Sequence, residues 1–125
     1  MTLKYYTKER EEYPIEFKYM KDSKELCLII NKLLKHYKLD NYIWKFVGTT
    51  SSRCCSIKKP NKPITGVLKF SRTHSSIGVI CHELAHAIEM TKYGKSGHAG
   101  RHFRIMTRLI KYCNKQGYTP GIITW

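Results

Sequence analysis

At 125 residues the chain is long enough for one domain and too short for two independent cores. A hydrophobic share of 42% excludes wholesale disorder, and no run approaches the roughly 18 apolar residues of a membrane span. Twenty-three Lys and Arg against nine Asp and Glu give a formal net charge of +14, a field that favours polyanions, nucleic acid first; a basic protein that is merely soluble is the plainer alternative.

Residues 1–21 mix Lys, Glu and Tyr with no clear period, and Pro14 breaks any long helix there, so the expectation is an irregular N-terminal segment. The start is charged and aromatic and does not read as a secretory signal. A helix is predicted over 22–40: Asp22 or Ser23 can cap it, Leu26, Ile29, Ile30, Leu33, Leu34 and Tyr37 recur at helical spacing, and Asp40-Asn41 ends it. Residues 42–70 read as a small three-stranded sheet of antiparallel type. Its strands are 42–47, 54–58 and 64–70, the last bent at Gly66, with the proline loop 59–63 between the second and third. Trp44 is expected in the core. Cys54 and Cys55 are adjacent in a strand and point to opposite faces as small buried groups.

A second helix is predicted over 75–93 and a third over 98–116, stopped by Gly117. The tail 118–125 is apolar and expected to pack. The whole, residues 1–125, is a single small α+β domain. Five cysteines with no CxxC pair read as free thiols in a reducing compartment, and their spacing excludes a zinc ribbon.

The charge is uneven. Residues 1–40 hold nine bases and seven acids; residues 41–125 hold fourteen bases and two acids, Glu83 and Glu89. Helix 75–93 contains His82-Glu83-Leu84-Ala85-His86, an HExxH. Residues four apart share a helix face, so His82 and His86 can ligate one Zn²⁺ at about 2.0–2.1 Å. Glu83 lies beside them, placed to take a proton from a water whose pKa the metal lowers to about 7. Ile77, Ile80, Cys81, Leu84 and Ile88 form one apolar stripe, with the two histidines on the opposite side; two ordinary histidines on an exposed helix face are the plainer alternative.

A third ligand is needed. No acid follows Glu89, and Lys92 stands where HExxHxxGxxH would place a histidine, which leaves His98, His102 and Cys113. His98 sits in Gly97-His98-Ala99-Gly100, a stretch able to bend back over the metal; His102 is the second choice. In helix 98–116, Phe103, Met106, Ile110 and Cys113 share one side, with Leu109 at its edge. Arg101, Arg104, Arg108, Lys111 and Lys115 share the other, a row that either tracks DNA phosphates or is a solvated face. Lys58, Lys59 and Lys62 could extend it.

These residues resemble the SprT-like (Spartan) zinc metalloprotease family over roughly residues 42–110. The likeness rests on Tyr42-Ile43-Trp44, Arg53-Cys54-Cys55-Ser56-Ile57 and Val67-Leu68-Lys69-Phe70-Ser71. It continues through Ile80-Cys81-His82-Glu83-Leu84-Ala85-His86-Ala87, Gly97-His98-Ala99-Gly100 and Phe103. It implies a zincin-like domain with zinc on His82, His86 and His98, Glu83 as catalytic base, and proteolysis of proteins bound or crosslinked to DNA. In the family a glycine usually follows the third histidine directly, whereas here Ala99 intervenes. No cysteine-paired zinc ribbon is present, so the expectation is a minimal catalytic domain of a size suited to a phage or compact genome. It would act in the cytoplasm or nucleoid, on DNA in single-stranded or unpaired regions, where exposed tyrosines could stack on bases, with no membrane partner. Two other readings stand beside it: a nucleic-acid-binding module whose structural zinc takes Cys81 or Cys113 as a fourth ligand, and a zincin that cleaves one specific regulatory protein.

Overall fold

The computed structural model describes residues 2–18, 23–73 and 75–118. The fold is α+β, with elements in the order α1 (Thr2–Glu12), α2 (Pro14–Lys18), α3 (Ser23–His36), β1 (Tyr42–Val47), β2 (Arg53–Ile57), β3 (Thr65–Ser71), α4 (Ile77–Tyr93) and α5 (Gly100–Lys115). Among the described residues, no helix is long and apolar enough to cross a membrane.

The N-terminal segment is helical, not irregular. Pro14 occupies the first position of α2, where its missing N–H is no loss and its fixed φ suits a helix. The boundary between α1 and α2 falls at Tyr13, whose N–H still donates to the Glu9 carbonyl. Helix α1 escapes a periodicity search because the face it buries is made of tyrosine and glutamate.

Helix α3 ends at His36, short of Asp40. Lys38 takes a left-handed φ of 55°, and the Leu39 N–H closes the turn on the Leu34 carbonyl at 2.9 Å. Leu39 is buried, so the strained residue is held by the apolar contact that follows it. Asp22 lies outside the described residues, as do residues 119–125 of the tail, while Tyr118 packs on the core.

The sheet is mixed, with strand order β1-β3-β2. β2 and β3 form an antiparallel hairpin, and β3 runs parallel to β1, from Tyr42↔Gly66 to Val47↔Ser71. The expected antiparallel pairing holds for β2 with β3 and fails for β1 with β3. Strand β3, whose Leu68 and Phe70 are fully buried, takes the centre and leaves the shorter, more polar β2 at the edge. Gly66 does not bend β3; it makes room for the Tyr42 ring. Trp44 is only partly buried, and its indole N–H donates to Asn31 Oδ1 at 2.8 Å. Cys54 and Cys55 are half-buried on opposite faces.

Helix α4 is the central element. Ser76 caps it, accepting from the Val79 N–H at 3.2 Å, and Gly94 closes it at φ 73°. Its apolar stripe is buried as expected, in one core with Leu26, Ile30 and Leu33 of α3, Leu68 and Phe70 of β3, and Met106, Leu109 and Ile110 of α5. Leu109 belongs to that core and is not at its edge. The opposite side of α4 is covered as well, so eleven of its seventeen residues are buried. Phe17 of α2 lies flat on Gly78, where a Cβ would come within 2.6 Å of the ring.

Candidate metal centre

Four histidines meet on the side of α4 facing away from the apolar stripe. His82 and His86 come from α4, His98 from the loop before α5, and His102 from the first turn of α5. His82, His86 and His102 each bring a nitrogen within 4.8 Å of the others, close enough to hold one metal ion. His98 converges more tightly, with its Nε2 3.1 Å from both His82 Nε2 and His86 Nε2. Tetrahedral zinc bonds of 2.0–2.1 Å would separate ligand nitrogens by about 3.4 Å.

The two nitrogens of His102 are engaged elsewhere. Nε2 donates to the His82 carbonyl oxygen at 2.8 Å, and Nδ1 meets the Tyr5 hydroxyl. The side chain is fully buried and ties α5 to α4 beneath the cluster. By contrast, the Nδ1 atoms of His82 and His86 are held by partners that free Nε2 for a ligand bond. His82 Nδ1 donates to Glu9 Oε2 at 2.5 Å. His86 Nδ1 donates to Ser96 Oγ at 2.7 Å, and Ser96 Oγ donates in turn to Glu89 Oε1 at 2.6 Å. Carboxylates behind ligating histidines orient the ring, fix its tautomer and raise its basicity.

This arrangement fits a cation. With the Nδ1 positions protonated, the Nε2 lone pairs of His82 and His86 both face His98 Nε2, and one proton on His98 cannot satisfy both. Glu9 is completely buried, and its Oε1 has no hydrogen-bond partner among the described residues. A buried carboxylate with half its acceptors unused is costly unless positive charge lies close by. A metal ion held among these histidines answers both demands.

Electrostatics set the protonation of the cluster. Burial, reinforced by the neighbouring imidazoles, lowers the pKa of His82 to about 3 and of His86 to about 2, so both are neutral, the form that ligates metals. Burial first, then the Glu9 charge, raises Glu83 to about 8. Burial likewise raises Glu9 to about 8, against the opposing influence of His98 and Arg10.

Glu83 borders a cleft of about 410 Å³ whose floor carries His82, His86 and His98. The backbone N–H of Cys54 on β2 donates to the Glu83 carboxylate, and Arg53, Cys54 and Ser56 of β2 form the facing wall. Tyr6 of α1 overhangs the histidines, with ring centroids 5.4 Å from His82 and 5.1 Å from His98.

Glu89 fills the position that would be glycine in the longer zincin motif, and its role here is to shape the His98 loop. Besides Ser96, its carboxylate accepts from the Gly97 N–H at 3.2 Å and from Arg101 Nε at 2.6 Å. Although burial alone would raise its pKa, those hydrogen bonds bring it below the usual carboxylate value. Arg101 is therefore occupied, paired with Glu89 and stacked 3.7 Å above the Tyr93 ring, whereas Arg104, Arg108, Lys111 and Lys115 are exposed. Cys81 and Cys113 touch at 3.7 Å between sulfurs inside the apolar core, on the face of α4 away from the histidines.

Sequence reasoning reached His82, Glu83, His86, His98 and His102 but missed Glu9, Tyr5, Tyr6 and Ser96. Glu9 lies 73 residues before its partner His82, and nothing local marks it. For Glu89 a signal did exist: the second half of the chain holds just two acids, and both stand at this site. Comparison of the chain with protein-family models, with curated proteins and with solved structures finds no match in any of the three.

Proposed function

We propose that the chain is a zinc-dependent endopeptidase acting on proteins associated with DNA. The observation that carries this reading is the convergence of three Nε2 atoms at the foot of a cleft that also holds a buried glutamate. His82, His86 and His98 would hold the ion, with His102 packed behind them as a brace. Zinc, when bound, supplies Lewis acidity, lowering the pKa of water toward 7 and polarising a carbonyl.

The remaining chemistry belongs to the chain. Glu83, lifted toward neutrality by burial, takes a proton from the attacking water and delivers it to the departing amine. β2 is an edge strand, so an extended peptide can pair with it along the cleft wall and present its carbonyl to the floor. Glu9, Ser96 and Glu89 keep the histidine rings in register throughout. The HExxH segment and its likeness to the SprT-like family favour the same reading. A structural zinc closed by a cysteine is disfavoured, because Cys81 and Cys113 face the core.

The DNA part of the proposal rests on charge. Of residues 41–125 the two acids are buried in the site, so the exposed charge of that half is cationic, including Arg104, Arg108, Lys111 and Lys115 along α5. The test is metal analysis of the purified chain followed by cleavage of casein and of histones, with and without single-stranded DNA. One zinc per chain, and cleavage that a chelator abolishes and zinc restores, would support the proposal. A zinc-loaded chain that cleaves neither protein would refute it.

A further inference from the structure

The register of the sheet creates a feature that periodicity could not show. Lys45 of β1 pairs with Lys69 of β3, and Lys69 pairs with Arg53 of β2. The three cations therefore stand side by side across all three strands, a row about 10 Å long at the usual strand spacing. They lie on the sheet face turned away from the helices, since the alternate residues Trp44, Leu68 and Phe70 pack on the core. Lys45 and Arg53 are exposed and Lys69 is half-exposed. Among the described residues no carboxylate pairs with any of the three.

Like charges directly opposite one another weaken a sheet. Nothing in the fold requires this row, so its presence points to a ligand that neutralises it. Beside it runs an apolar row, Ile43↔Val67↔Cys55, in which Ile43 is 68% exposed. At its far end Arg53 also lines the catalytic cleft.

We propose that this face binds the phosphate backbone of a single nucleic-acid strand, laid across β1, β3 and β2 and leading to the cleft beside Arg53. This deepens the reading given above and rests on it for the meaning of the cleft, but not for the binding itself. A polyanion fits better than a short acidic peptide because the positive charge continues past the row to exposed Lys58, Lys59, Lys62 and Arg72. A single strand fits better than a duplex because unpaired bases can rest on the adjacent aliphatic row. Binding through phosphates carries little sequence preference.

Lys69→Glu tests the proposal. The new carboxylate would face Lys45 and Arg53, so the variant should melt higher than wild type, which removes misfolding as an explanation of lost binding. Anisotropy with a labelled oligothymidylate, on zinc-loaded protein, should show about tenfold weaker binding at low salt and a salt slope smaller by about 0.7 or more. Lys69→Arg should bind as wild type does, and zinc content should be the same in all three. Unchanged affinity and slope in a folded Lys69→Glu would overturn the proposal, all the more if Arg104→Glu/Arg108→Glu abolished binding. A glutamate-rich peptide that bound the face more tightly than the oligonucleotide would overturn it too. Because no proteolysis is measured, failure here is distinguishable from failure of the peptidase reading.

Discussion

Replacing Glu9 by Gln isolates the part of the metal centre that comes from the N-terminal helix. The amide keeps the shape of the carboxyl and can still accept from His82 Nδ1, but it removes the negative charge 2.5 Å from that nitrogen. It also puts an NH₂ group where Glu9 is fully buried and Oε1 has no partner among the described residues. Loss of such an outer partner typically weakens metal affinity 10–100-fold, about 1.4–2.7 kcal/mol. The metal-free protein should respond in the opposite sense. Above pH 8 it no longer buries an ionised carboxylate, so it should be as stable as wild type or more so. Zinc affinity is read by competition with a chromophoric chelator, and stability by thermal melting with and without zinc. Wild-type zinc affinity in Glu9→Gln would refute the argument that this carboxylate is matched to a bound cation. A general loss of stability in both forms would reduce Glu9 to a packing role.

His98→Ala should lose stoichiometric zinc. His102→Ala should keep one zinc while losing at least about 2 kcal/mol of stability, since it leaves a cavity and an unpaired His82 carbonyl; the reverse pattern in metal analysis would exchange the roles of the two residues. The metal-free protein should melt lower at pH 8 than at pH 6.5. Glu9 and Glu83, raised from 4.5 to about 8, bind more protons folded than unfolded across that window, so stability falls as pH rises through it. His82, His86 and His102, lowered from 6.5, act in the opposite direction, mostly below pH 6.5 and fading within about one unit above it, so the two glutamates dominate the window; a flat melting profile with chelator between pH 6.5 and 8 would contradict the assigned burial. Gly78→Ala should cost about 1–3 kcal/mol by pressing on the Phe17 ring, and an unchanged melting temperature would show that α2 does not pack there.

What the sequence made legible follows from where the information sits. The HExxH spacing is local to one helix, and the apolar stripes of α3, α4 and α5 repeat at helical period, so these helices and two histidines of the candidate site could be read directly. Helix α1 could not, because its buried side is Tyr5 and Glu9, residues that ordinarily face solvent and here face imidazoles. The same omission left an exposed histidine face on α4 as an alternative, whereas His82 is 4% exposed. Sheet order was hidden for another reason. Strand β3 enters between two strands that precede it, and the gain is the burial of Leu68 and Phe70, which no local rule ranks. The partners of His102 were hidden likewise, because Tyr5 and the His82 carbonyl lie 97 and 20 residues away from it.

The central claim, that Glu83 and three histidines form a hydrolytic zinc centre, is tested most directly by Glu83→Gln. The amide is nearly isosteric and can still accept from the Cys54 N–H, but it cannot take a proton from water. Casein cleavage by zinc-loaded wild type and zinc-loaded Glu83→Gln should differ by 10²–10⁴-fold, with equal zinc content and no loss of stability. Equal cleavage rates in the two zinc-loaded proteins would contradict the account.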